Sequence, residues 1–487
     1  MWADSDDYER ALERAREHTR KWLEALPERI VRPSATADEV KQRFGGPLPE
    51  TGLDAAAVVD FLAENAEPGL MAMQSGRFFG WVIGGTVPAA MAADWLVSAW
   101  DQNSGLCFAS PSTAGIEEAA GEWLLELLNL PPGSDVGFAT GASMANFTAL
   151  AAARWRQLAN AGWDVNADGL QGAPKVRVLA GAERHDSLDM ALRFLGLGAP
   201  ELVPADGQGR IDPTALRSTL ESGPQDAPAI VCLQAGNLHS GAFDPFPAAI
   251  SAARDYGAWV HVDGAFGLWA AAVPGLRHLT EGVELADSWG TDAHKTLNVP
   301  YDAGIVAVRD AAALRSGIGM HAVYLMQDDH GPADPMEKVP ELSRRARGVP
   351  VWAALRSLGS DGVRQLVAGR ADCAAELGHR LAGVPGVEGL NDVVFTQLSL
   401  AFGSDERTRA VTDYVMAATR TLPARARAVG APRAARPVSV RRGCSQPTTS
   451  GRGRRRARVF PRTTAHFPLR GRGSTAGPLR CPSRPRH

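Results

Sequence analysis

Two short stretches hold residues whose types and spacing suit chemistry. HVDGAFGLWAA (261–271) reads as a buried strand running into Asp263 and then into the small residues Gly264 and Ala265. DSWGTDAHKTLNVPYD (287–302) carries a second β-run into Lys295, 32 residues after Asp263 and directly after His294. A lysine just beyond an apolar strand loses contact with water, which favours the neutral, nucleophilic amine. An aspartate at the end of a neighbouring strand can hold a heterocyclic nitrogen protonated. Together the two suit a carbonyl cofactor held through an amine, with an acid opposite its ring nitrogen.

Two further stretches complete the constellation. FATGASMANFTALAAAR (138–154) is a glycine-containing turn leading into a helix, whose first N–H groups and dipole favour an anion. Alone, Gly-Ala-Ser before a helix is more often only an N-cap. GAERHDSLDMALRFLGLG (181–198) sets His185 between a strand end and a helix start, where a lone histidine is usually a cap or a solvated loop residue.

The elements that must position these residues form an alternating pattern. Candidate strands are VRVLAG (176–181), AIVCLQAG (229–236), AWVHVDGA (258–265), ADSWGTDA (286–293) and AGIVAVRD (303–310), with helical patterns such as PAAISAARDYG between them. Strands alternating with helices imply an open, mostly parallel sheet covered on both faces. Residues from Tyr8 to about Asn65 read as mostly helical, and GIEEAAGEWLLELLNLPPG as a helix stopped by Pro131-Pro132-Gly133. A division follows: a helical N-terminal segment (1–85), a large domain (86–320), a smaller α/β domain (321–423) and an arginine-rich tail (424–487).

At these residues the chain resembles the pyridoxal-phosphate (PLP)-dependent group II amino-acid decarboxylases, the aromatic-amino-acid, glutamate and histidine type, over roughly residues 30–420. The resemblance implies the aspartate-aminotransferase-like architecture, PLP fold type I. Its parts are a large α/β domain with a mostly parallel seven-stranded sheet, a helical N-terminal segment and a smaller C-terminal domain. It makes Lys295 the Schiff-base lysine and His294 its usual neighbour. Asp263 pairs with the pyridinium nitrogen, Ala265 packs on one ring face, Ala142 and Ser143 bind the phosphate, and His185 stacks on the ring. Trp81 and Val82, in GRFFGWVIGG (76–85), become substrate contacts, although Trp81 could equally be core. Asn237 and Ser240 fall beneath the cofactor, and the run SRRARGVPVW (343–352) reads as structural.

The implied reaction removes the α-carboxylate of an L-amino acid, giving an amine and CO2. Trp81 suggests an aromatic or bulky substrate, and the family implies a homodimer. Another reaction on the same fold, aminotransfer or aldehyde-forming oxidative decarboxylation, is the enzymatic alternative; an inactive PLP-binding remnant is the other. The family's mobile loop carries a catalytic tyrosine, but Asp334 to Pro340 has none and Lys338 stands near its place. A proton for Cα is then expected from Lys338, from His330 or from water.

Composition narrows the classes. Five scattered cysteines form neither a disulfide framework nor a metal-type cluster, so no metal is expected. No apolar run is long enough for a membrane span, the N-terminus is charged from its start, and the expected setting is the cytoplasm. The net charge of −3 hides an asymmetry: residues 424–487 hold 17 arginines and no Lys, Asp or Glu. The body is therefore acidic and unsuited to nucleic acid. The tail reads either as a basic arm or as GC-rich coding sequence translated out of frame, and in both cases as disordered.

Overall fold

The computed structural model describes residues 5–320, 333–418 and 422–423. The expectation of a disordered arginine tail concerns residues outside these, as does His330.

Seven strands form the central sheet: β1 (Asp135–Ala139), β2 (Arg177–Gly181), β3 (Glu201–Val203), β4 (Ala229–Gln234), β5 (Trp259–Asp263), β6 (Ser288–Asp292) and β7 (Gly304–Val308). Their order is β1-β7-β6-β5-β4-β2-β3, and β7 alone runs antiparallel to its neighbours. This is the mostly parallel seven-stranded α/β sheet expected from the sequence. The short apolar runs make strands because both faces are covered. Along β4, Ile230 and Cys232 pack into one buried cluster while Val231 and Leu233 pack into the other. Both clusters are dry, so the strand reads as a continuous apolar run rather than an alternating one.

Helices supply the two covers. On one face lie α6 (Ala142–Asn160), α7 (Asp186–Phe194) and α10 (Ala311–Ile318). The other face is covered by α5 (Pro111–Leu127), α8 (Pro213–Glu221), α9 (Phe246–Arg254) and α11 (Gly348–Ala382), which is broken at Gly359, where φ is 63°. The alanine run at positions 149 and 151–153 of α6 is fully buried and lets the helix lie close on the sheet. Arg344 enters the start of α11 by a bidentate pair with Glu117 of α5, at 2.6 and 2.7 Å, both side chains almost fully buried. That bears out the structural reading of the arginine run.

Ahead of the sheet come α1 (Ser5–Ala25), α2 (Ala37–Phe44), α3 (Ala55–Ala66) and α4 (Pro88–Trp100). Thr36 and Glu39 form a reciprocal capping box on α2, and Asp54 caps α3 by accepting from the Ala57 N–H. α1 and α3 are held together by Arg14–Asp60 and Arg10–Asp54, both at 2.7 Å, yet none of α1, α2 or α3 contains a buried residue. Among the described residues, no helix is long and apolar enough to cross a membrane.

Candidate active site

Parallel strands deliver side chains to one edge of the sheet, and the site lies outside the carboxyl ends of β1, β2, β4, β5 and β6. A cleft of about 490 Å³ opens there. Its walls include every residue proposed from the sequence for cofactor and substrate: Ala142, Ser143, His185, Asp263, Ala265, His294, Lys295, Trp81 and Val82. Residues separated by more than 200 positions thus meet because six strands run the same way.

Asp263 ends β5 with its side chain mostly buried, and its Oδ1 accepts from the Ala265 N–H at 3.2 Å. Lys295 follows β6, and its Nζ lies 2.9 Å from Asp292 Oδ2. The sequence pointed to a lysine simply stripped of water; the structure gives it a carboxylate partner instead. Asp292 itself is only 2% exposed in its side chain, and its Oδ1 accepts from the Ala142 N–H at the start of α6, at 2.6 Å. His294 Nδ1 accepts from the Ala303 N–H at 3.2 Å, which leaves the proton on Nε2, 3.4 Å from Asp292 Oδ1. Burial pushes His294 below the usual histidine range, so the ring is neutral at neutral pH.

Asp292, at the head of Asp-Ala-His-Lys, was missed as a site residue. A signal existed: an acid three positions before the lysine, at the end of a buried strand. Tyr301 was missed as well. It lines the cleft with its ring 4.4 Å from that of His294, and burial followed by the Asp292 charge raises its phenol pKa.

The loop bearing Lys295 is clamped from behind. Arg370 of α11 donates to the Thr296 carbonyl at 3.0 Å and to Asn298 Oδ1. Asn298 Oδ1 also accepts from the Gly85 N–H at 2.7 Å, and its carbonyl accepts from the Val87 N–H. Gly84 passes so close that a Cβ there would fall 2.1 Å from the Lys295 carbonyl oxygen. This contact ties the lysine loop to the segment carrying Trp81 and Val82. Both residues hold positive φ, 58° and 53°. A β-branched valine in that region is strained, and such strain persists where the surroundings over-determine a functional loop.

The remaining expectations sort by geometry. His185 reaches the cleft as the N-cap of α7, its Nδ1 accepting from the Ser187 N–H at 3.1 Å. Asn237 is buried outside the cleft walls and supports the histidine loop, its Nδ2 donating to the Glu183 carbonyl at 3.0 Å. Ser240 donates to the Gln208 carbonyl. Lys338 is a correction. Its side chain is buried and ion-paired with Glu118 of α5, and it is absent from the cleft walls, so it is not poised to move a proton there. The residues around it fold against α5 and β1, which fixes the lysine away from the site.

The donor set fits PLP. In the first turn of α6 the Met144 and Ala145 N–H groups donate to the Gly141 carbonyl and the Ala142 N–H to Asp292, while the Ser143 N–H and hydroxyl have no hydrogen-bond partner among the described residues and face the cleft. Glycines keep this cradle open: a Cβ at Gly304 would meet the Gly141 backbone at 2.4 Å. A family model described as the pyridoxal-dependent decarboxylase conserved domain matches residues 39–397. The chain belongs to this family.

Among characterised relatives, it is similar to an aromatic-L-amino-acid decarboxylase of Bacillus atrophaeus, 27% identical over 349 residues covering 70% of each chain. It is also similar to a tryptophan decarboxylase of Oryza sativa subsp. japonica, 27% identical over 376 residues, 73% of this chain and 72% of that one. An acidic amino acid decarboxylase of Mus musculus is 29% identical over 299 residues, and the chain spans only 54% of its length. In fold, the crystal structure of Oryza sativa TDC with PLP and tryptamine superposes with a TM-score of 0.81 at 22% identity, covering 87% of this chain and 91% of that one. This decarboxylase is a PLP-dependent enzyme that acts on an amino acid, as the sequence led us to expect.

Proposed function

We propose that the substrate is a neutral L-amino acid with an aromatic or bulky side chain, and that the enzyme works as a homodimer in the cytoplasm. The composition of the cleft carries the substrate reading. Its walls present Trp81, Val82, Phe147, Met190, Phe194 and Leu238, and among the described residues they include no arginine. A second carboxylate on the substrate would need a guanidinium or ammonium partner when desolvated, and Lys295 is committed to the cofactor. Cys107, Cys232 and Cys373 form no disulfide among the described residues, which fits a reducing compartment.

The chain's own residues divide the work. PLP, when bound, supplies an electron sink for the pair left at Cα as CO2 departs. Lys295, whose Nζ lies in the cleft wall, is the amine that would hold the cofactor's aldehyde. Asp263 keeps a proton on the ring nitrogen, which preserves the sink. His185 and Ala265 are the residues that would confine the cofactor ring, and Ser143, through its hydroxyl and N–H at the start of α6, would anchor the phosphate. Tyr301 takes the part first sought in Lys338: a phenol that keeps its proton and can lend it at Cα. Where that proton is late, molecular oxygen and water would compete, turning the amino acid into aldehyde, CO2, ammonia and hydrogen peroxide instead of amine and CO2.

Two copies are supported by apolar surface without cover. Tyr8 and Leu12 of α1, Phe61 and Leu62 of α3, and Trp95 and Trp100 of α4 are all exposed. Incubation of the purified enzyme with phenylalanine, tyrosine, tryptophan, glutamate and aspartate, detecting CO2 and amine, tests the substrate reading. Turnover of an aromatic member at least tenfold faster than either acid is expected. Preference for an acid would overturn it.

A further inference from the structure

We infer that Asp292 weakens the hold of this enzyme on its cofactor, because its carboxylate and the cofactor's phosphate share one helix N-terminus. The claim rests on PLP being the cofactor. It goes beyond that by assigning a residue that limits cofactor retention.

The geometry is specific. Asp292 Oδ1 accepts from the Ala142 N–H at 2.6 Å, and Ala142 is the first residue of the 19-residue helix α6. That N–H and the positive end of the helix are also what a phosphate in this cleft uses. Asp292 cannot withdraw. Its side chain is 2% exposed, its backbone N–H donates to the Ala265 carbonyl, and its own carbonyl accepts from the buried Trp269 indole. Gly141 packs against it, since a Cβ at that position would sit 3.5 Å from Asp292 Oδ1. A phosphate held at this helix end would therefore lie near a fixed carboxylate in a partly desolvated site, where like charges repel far more than in water.

Lys295 Nζ, 2.9 Å from Oδ2, offsets part of this charge. The second oxygen is the one turned toward the lysine, so Oδ1 keeps its claim on the helix. An asparagine has the same shape and its Oδ1 can keep the Ala142 hydrogen bond, but it carries no charge. Removing the charge should thus help a ligand that carries the phosphate, whereas any change transmitted through the Lys295 contact bears equally on a ligand with or without it.

Equilibrium binding of PLP and of pyridoxal, which has the same ring and aldehyde but no phosphate, separates the two effects. The measurement is made on the apoprotein and on Asp292→Asn, with thermal melting as a check on folding. Asp292→Ala provides a second variant if the first does not fold. Binding of PLP about tenfold tighter in Asp292→Asn, with pyridoxal affinity within about twofold of the parent, is the expected result. Weaker PLP binding by a folded variant overturns the inference, because it makes Asp292 an anchor. An equal gain for both ligands also overturns it, because the effect would then run through Lys295. A parent protein that binds PLP no better than pyridoxal would instead remove the phosphate cradle itself.

Discussion

At the scale of single residues, environment decides which groups carry a proton. Tyr301 lines the cleft, half exposed, and partial burial with the Asp292 charge shifts its phenol further up from an ordinary value that already keeps it protonated at neutral pH. Tyr301→Phe should leave cofactor absorbance unchanged, lower amine formation at least tenfold and raise the aldehyde-to-amine ratio, read by product chromatography in air. An unchanged ratio would assign the proton elsewhere. His261, two positions before Asp263, is fully buried between Asn146 and Ser288, and burial lowers its pKa to about 4. The unfolded chain takes up this proton near pH 6.5, whereas the folded chain waits until about 4. The unfolded state therefore binds more protons in that window, and stability falls as pH drops from 6.5 to 4, by up to roughly 3 kcal/mol. His261→Gln should escape this loss, so its melting temperature should gain on that of the parent across the same range.

At the scale of elements, the lysine is placed by a clamp rather than by its strand alone. Gly84→Ala would drive a methyl group into the Lys295 and His294 carbonyls. It should reduce bound cofactor and lower the melting temperature, at a cost of about 1–3 kcal/mol. The clamp was invisible in the sequence because it joins Gly84, Asn298 and Arg370, positions with no shared period or motif. Five strands were legible as short β-rich runs between helical patterns. β1 was not, because its end was read into the turn-and-helix stretch that begins at Phe138, and β3 was not, because it is a three-residue edge. The site was legible because its residues fall at strand ends, in order. Asp292 and Tyr301 were overlooked because their importance comes from what they touch. Arg344 and Glu117 were readable only as types; their pairing 227 positions apart appears in three dimensions. Breaking that buried pair with Arg344→Met should cost about 3–5 kcal/mol in a denaturant titration.

At the scale of the whole molecule, six co-directional strands gather the proposed cofactor residues at one edge, and exposed apolar side chains on α1, α3 and α4 are the faces on which the homodimer proposal rests. If the proposed homodimer forms through these faces, Leu12→Glu with Leu62→Glu should convert it to monomer in sedimentation velocity, with loss of most activity. The central claim is that this acidic α/β chain carries PLP on Lys295 at the end of β6. Borohydride reduction of the holoenzyme followed by peptide mass mapping tests it most directly. The expected result is a single pyridoxyl adduct on the peptide containing Lys295, lost in Lys295→Ala together with the yellow colour. An adduct on any other lysine, or none at all, would contradict the account.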